Sequence, residues 1–252
     1  MIEIFVLSLI QGVTEFLPIS SSSHLIFISE NFNFENQSLS IDTSLHIGSF
    51  AAVILYFRKD VVNFYKNKIL FLQIFISSIP IIVIGFLMVQ TNFIDKFRNM
   101  EIIAWTTILF GVLLYISDKF RADKNIRNNF NFKAAFVIGL FQIFSLIPGV
   151  SRSGIAITIS RFLKFKREDA VKISFLLSIP ILGAVSLYGI KNILFSEDVG
   201  FTNLNIISII LSFIFSFITI KYLLTYIKKF SFNVFVYYRI FLGLILLYIY
   251  YL

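Results

Sequence analysis

Long apolar runs separated by short basic stretches dominate this chain. A helix that crosses a bilayer needs about 20 apolar residues, within a range of roughly 17–25. Six segments approach that length: Ser44–Phe57 with its flanks, Ile69–Val89, Ile102–Ser117, Val171–Ile190, Ile206–Ile227 and Val234–Leu252. Two further apolar regions are broken. Ile2–Ile28 is interrupted at Pro18 and a run of serines, and Ala134–Leu163 at Pro148-Gly149 and a second serine cluster. Each reads as two short helices meeting at a break. Lipid tolerates such a break only where it is buried in protein or lines a wet cavity.

The polar positions between these runs set a topology. Lys and Arg concentrate in 58–68, 118–133, 164–172 and 228–233. These four stretches alternate with basic-poor ones if the six long segments span and the two broken segments are re-entrant. Cytoplasmic loops carry the excess of Lys and Arg, so the four belong inside and both termini outside. An internal repeat agrees with this map. Gln11…Pro18-Ile19-Ser20-Ser21-Ser22-Ser23-His24 resembles Gln142…Pro148-Gly149-Val150-Ser151-Arg152-Ser153-Gly154. Ser78-Ile79-Pro80-Ile81 recurs as Ser178-Ile179-Pro180-Ile181. Each half holds one broken hairpin and three spans, an odd number, so the second half enters from the opposite side, as in inverted-topology repeats. The expected fold is an all-α integral membrane protein with an inverted-topology repeat, six transmembrane helices and two re-entrant broken-helix hairpins. It is one membrane domain over 1–252, with halves of 1–120 and 130–252. The first half carries extra residues around Glu30–Asp60. Nothing basic precedes the first apolar stretch, and no small-x-small cleavage site follows it. That stretch is therefore expected to stay in place rather than be removed as a signal peptide.

Composition narrows the function. Of the 252 residues, 58% are hydrophobic and 14% charged, against about 45–50% and 25% in soluble domains. A soluble enzyme is excluded. The chain has no Cys, which removes disulfides, thiolate metal sites and cysteine nucleophiles. The net charge of +8 comes from basic loops between spans, so no nucleic-acid partner is expected.

Inverted repeats with broken helices bring their breaks together near the bilayer midplane. After Pro18 come four serines and His24. After Pro148 come Gly149, Ser151, Arg152 and Ser153. Pro suits a helix's first turn and Ser its N-cap, so both breaks are expected to be helix N-termini, which attract anions. Arg152 adds a planar fork that matches phosphate oxygens. The expected ligand is a phosphate or diphosphate with a lipophilic tail. A guanidinium at membrane depth is costly and marks function. Glu15, four residues from Gln11 on one helical face, needs a partner or a proton at that depth. Ser21 and His24 are three apart, so a helix after Pro18 lets His24 accept the Ser21 proton and Glu15 orient His24 or hold a cation. Ser20 and Ser22 read as ligand contacts or as packing residues. Asp42 and His46 read as interfacial or structural, and Arg239 as structural.

Gln11-Gly12-Val13-Thr14-Glu15-Phe16-Leu17-Pro18-Ile19-Ser20-Ser21-Ser22-Ser23-His24 resembles the first signature of the bacterial undecaprenyl-diphosphate phosphatases of the BacA/UppP type. Pro148-Gly149-Val150-Ser151-Arg152-Ser153-Gly154 resembles the second, and the likeness continues to Tyr238-Arg239. The resemblance implies hydrolysis of undecaprenyl diphosphate to the monophosphate, recycling the lipid carrier of cell-wall synthesis, and resistance to bacitracin. It implies a multi-pass protein of the bacterial inner membrane, embedded in membrane lipid, with an outward-facing site. A homodimer is carried as an expectation. Ser21, His24, Glu15 and Arg152 are expected to be catalytic, with Ser21 and His24 both open as nucleophile. Gln11, Ser20, Ser22, Ser151, Ser153 and Gly149 are expected to bind substrate. The resemblance also implies a divalent cation, Mg2+ or Ca2+, with Glu15 as a ligand. Gln11 stands where many members carry Glu, Ser23 replaces Gly, and Ala156 replaces Thr. The alternative function is a polyprenyl-phosphate flippase on the same architecture.

Overall fold

A computed structural model describes residues 1–31, 34, 38–195 and 201–252, and these are all-helical with one isolated bridge, Lys124 to Phe165. The helices are α1 (Ile2–Thr14), α2 (Ser21–Asn31), α3 (Leu39–Tyr56), α4 (Arg58–Asn63), α5 (Lys68–Gln90), α6 (Met100–Lys119), α7 (Ile126–Asn129), α8 (Phe132–Gln142), α9 (Arg152–Phe162), α10 (Arg167–Phe195), α11 (Asn203–Tyr226) and α12 (Asn233–Tyr251). Six of them, α3, α5, α6, α10, α11 and α12, are long and apolar enough to cross a bilayer. They match the six segments expected from the apolar runs. The chain is a multi-pass membrane protein.

Asn side chains cap several of these helices. Asn67 Oδ1 accepts from Leu70 N at 3.0 Å, Asn99 Oδ1 from Ile102 N at 2.8 Å and Asn131 Oδ1 from Ala134 N at 2.9 Å. Each satisfies an amide that has no partner inside its helix.

Helix α11 is patterned inside out relative to a soluble helix. Ile206, Ile210, Ile214 and Ile218 are exposed, while Ser208, Ser212 and Ser216 are buried. The apolar side faces lipid and the small polar side faces α3. Ser49 on α3 lies within hydrogen-bond distance of Ser212 (3.1 Å) and Ser216 (2.9 Å), and Asn205 donates to Ser40 and Ser44. Lipid gives helices no hydrophobic reason to associate, so close packing and such bonds carry the interface.

The four basic stretches meet at one end of the molecule. Lys172 pairs with Asp60 at 2.7 Å, and Lys124 exchanges backbone bonds with 164–166. Asp118 accepts two bonds from Arg167, at 2.7 and 2.9 Å, and one from Phe232 N at 3.3 Å.

The two broken segments take the form of α1 with α2 and of α8 with α9. Their breaks are short turns. The helices that follow begin at Ser21 and Arg152. Pro18 and Pro148 therefore lie in the turns and not in the first helical turn, where the sequence had suggested them.

Candidate active site

The two breaks share an uncommon backbone. Ser20 has φ 74° and Ser151 φ 70°, each just before its helix. A non-glycine residue held there costs about 1–3 kcal/mol, and such strain gathers at functional sites. Gly149 precedes Ser151 with φ 95°. A Cβ on Gly149 would come within 1.9 Å of Thr106 Oγ1 on α6, so only glycine fits that turn. Ser151 then caps α9, its Oγ accepting from Gly154 N at 3.0 Å.

One residue pins both turns. Arg239 on α12 is fully buried and donates only to carbonyls: Pro18 at 3.2 Å, Val150 at 3.1 Å, Gly149 at 2.7 Å and Thr107 at 3.1 Å. Its guanidinium satisfies the carbonyls that the breaks leave without helical partners. Ser153 makes a further tie between the breaks, donating to Leu17 O at 2.8 Å. The two motifs, far apart in sequence, are thereby fastened back to back.

Between them the polar side chains converge on Glu15. Arg152 Nη2 donates to Glu15 Oε1 at 2.6 Å. Ser21 Oγ donates to Glu15 Oε2 at 2.8 Å, and Gln11 Nε2 donates to the same oxygen at 2.9 Å. Glu15 and Arg152 are both largely buried. Breaking such a pair by removing one partner typically costs about 3–5 kcal/mol, because a bare charge is left behind. Yet the pairing is incomplete. Arg152 Nη1 and Gln11 Oε1 are buried with no hydrogen-bond partner among the described residues. A buried guanidinium N–H without an acceptor is expensive, and an anionic oxygen would satisfy it.

These groups open on a cavity of about 190 Å³. Glu15, Ser20, Ser21, Ser22, Ser151 and Arg152 form its polar wall. Ile81 and Leu146 face it as well, with Ile181, Leu182 and Val185 of α10. Ile81 and Ile181 are the residues that follow the two in-helix prolines of the repeated Ser-Ile-Pro-Ile. The cavity is thus polar on one side and apolar on the other, the shape required by an anionic head with a lipophilic tail.

Several expected residues sit elsewhere. Gly149 and Ser153 stand behind the wall, where they join the breaks. The expected Ser21–His24 hydrogen bond is absent. His24 Nδ1 lies 2.6 Å from Ser20 O and its Nε2 2.5 Å from Tyr238 Oη. Ser21 turns instead to Glu15, since the left-handed Ser20 redirects the chain before α2 starts. Glu15 does not orient His24. Two residues take parts that the sequence reading did not give them. His46 lines the cavity and receives Gln11 Nε2 at 3.1 Å on Nδ1, and Tyr238 anchors His24. A single His on an apolar span carries no signal of either kind in sequence.

The donor set does not fit a protein-held divalent cation. Mg2+ and Ca2+ ask for several oxygen ligands. Among the described residues, Glu15 is the only carboxylate lining this cavity and is taken by Arg152, and no group of three His, Asp or Glu side chains is placed for a metal.

Comparison with known proteins places the chain in a family. A sequence profile described as "Bacitracin resistance protein BacA" matches residues 4–245. A protein of Pelagibacter ubique named undecaprenyl-diphosphatase is 48% identical over 251 residues, covering 99% of this chain and 98% of that one. Proteins of the same name from Jannaschia (36% identical, 98% of each chain) and Saccharophagus degradans (40% identical, 94% and 93%) are also similar.

Proposed function

Because this chain belongs to the bacitracin resistance protein BacA family, we propose that it hydrolyses undecaprenyl diphosphate to undecaprenyl phosphate and inorganic phosphate. The observation that carries this is the Ser21–Glu15–Arg152 chain of contacts, with one guanidinium nitrogen left unpaired at a cavity between membrane helices. The terminal phosphate takes up Arg152 and the two strained helix starts. The first isoprenyl units lie against Ile81, Ile181 and Leu182. As phosphate oxygens draw on Arg152, Glu15 is freed to take the Ser21 proton. Ser21 Oγ attacks the terminal phosphorus, the O–P bond to the lipid phosphate breaks, and undecaprenyl phosphate leaves. Water then releases phosphate from the serine. His24 holds the Ser20 turn from outside this step. Any divalent-cation requirement lies with the substrate's diphosphate, because the described residues build no cage for the ion.

The protein works in the bacterial inner membrane with its two broken hairpins re-entrant, its halves inverted and its cavity open to the outside. The site is made by one chain, so a homodimer, tested by mass in detergent, is not needed for the chemistry. The deciding experiment is phosphate release from undecaprenyl diphosphate by purified protein in detergent. Release is expected from the wild type and not from Ser21→Ala. Lipid movement across vesicles without phosphate release would replace this reading with a flippase.

A further inference from the structure

The chain has two histidines, and their surroundings are opposite. Both ring nitrogens of His24 are engaged, by the Ser20 carbonyl and the Tyr238 hydroxyl. His46, on α3, lines the same cavity as Ser21 and Arg152. Only one of its nitrogens is engaged. Gln11 Nε2 lies 3.1 Å from Nδ1, and Nε2 of the ring has no hydrogen bond among the described residues.

The proton positions follow from the neighbours. The amide nitrogen of Gln11 carries two hydrogens. One goes to Glu15 Oε2 at 2.9 Å and the other points to His46 Nδ1. Flipping the amide would set its oxygen against the Glu15 carboxylate, so the nitrogen belongs there. Nδ1 is therefore an acceptor, and the ring's proton sits on Nε2.

We propose that His46, rather than His24, is the histidine that touches substrate. Its Nε2–H donates to a phosphate oxygen of the bound diphosphate. Gln11 is a positioning residue that sets the tautomer of His46 while supporting Glu15. This arrangement supplies a directed donor from α3, an element separate from both breaks. It also gives Gln11 a role that a carboxylate at that position could not fill, since a carboxylate has no hydrogen to give Nδ1. The proposal rests on the phosphatase reading.

Two variants separate a substrate role from a structural one. The side-chain nitrogen of Gln reaches the place of Nε2, whereas the short Asn side chain reaches only the place of Nδ1. With undecaprenyl diphosphate, His46→Gln is expected to stay within about fivefold of wild-type kcat/KM. His46→Asn is expected to lose about 10- to 100-fold, the worth of one hydrogen bond to a charged group. The reverse order, or two variants equal to wild type, overturns the proposal. A second readout needs no turnover. In 15N-histidine-labelled wild-type protein, methylenediphosphonate should move the His46 Nε2 resonance, assigned by its loss in His46→Gln, and leave His24 in place. Movement of His24 alone, or of neither, overturns it. Wild-type protein that moves His46 with the diphosphonate yet releases no phosphate would strike down the phosphatase reading and leave this contact standing.

Discussion

Ser21, Glu15 and Arg152 act as one unit, because Glu15 accepts from both of the others. Removing members of such a unit is strongly non-additive. Ser21→Ala and Glu15→Gln are each expected to lower kcat by about 10²-fold or more, the usual scale of assisted proton transfer. The double variant should be little worse, as read by phosphate release, and additive losses would separate the two residues. Arg152→Lys keeps the charge but loses the fork. One Lys nitrogen cannot serve Glu15 and a phosphate oxygen in the two directions that Nη2 and Nη1 do. A fall in kcat/KM of about 10²-fold is expected, the effect of deleting a transition-state donor. Near-normal kinetics in a folded Arg152→Lys protein would make the arginine structural. Glu15 and Arg152 stand out in the bare sequence because charge in an apolar run must be compensated. The partner of Ser21 does not. Helical spacing points from Ser21 to His24, but the positive φ of Ser20 lies outside any propensity rule and turns the hydroxyl back to Glu15.

At the scale of elements, Arg239 decides how α12, α6 and the two breaks fit together. Its five N–H groups serve four carbonyls from three separate stretches of chain. Arg239→Met keeps a long apolar stem and leaves those carbonyls without donors. Each buried unsatisfied group costs about 1–3 kcal/mol. The variant is expected to show a clearly lowered unfolding temperature in detergent and little phosphatase activity. Wild-type thermal stability would show that water or lipid groups replace the guanidinium. The sequence marked Arg239 as structural within an apolar segment but not what it holds, because carbonyl contacts have no residue-type signature. The spans were easier to read. Their lengths follow from bilayer thickness, and the Asn caps fall within a few residues of the ends inferred from apolar runs.

For the whole molecule, the expected orientation rests on charge placement. The contacts Lys172–Asp60 and Asp118–Arg167 gather the basic stretches at one end, which agrees with their sharing one side of the membrane. A cysteine placed at Asn92 in this Cys-free chain should react with an impermeant maleimide on intact cells. One at Asn128 should react only after lysis. Labelling of Asn128 from outside would invert the topology. The same charge map also expects 36–40 outside; positions 36 and 37 lie outside the described residues, while Leu39 and Ser40 open α3. The two Pro- and Ser-containing motifs were legible as a pair. The back-to-back join of those motifs was not, since it depends on a third stretch of chain that resembles neither.

That third stretch is made after both breaks. The carbonyls of Pro18, Gly149 and Val150 wait for Arg239, and His24 waits for Tyr238, both on α12. Until the ribosome has delivered α12, the Ser20 and Ser151 turns are without the residue that holds them. A nascent chain therefore carries Ser21, Glu15 and Arg152 without that brace until α12 is made. On the proposed function, competence to cut diphosphate waits on one helix finding its seat.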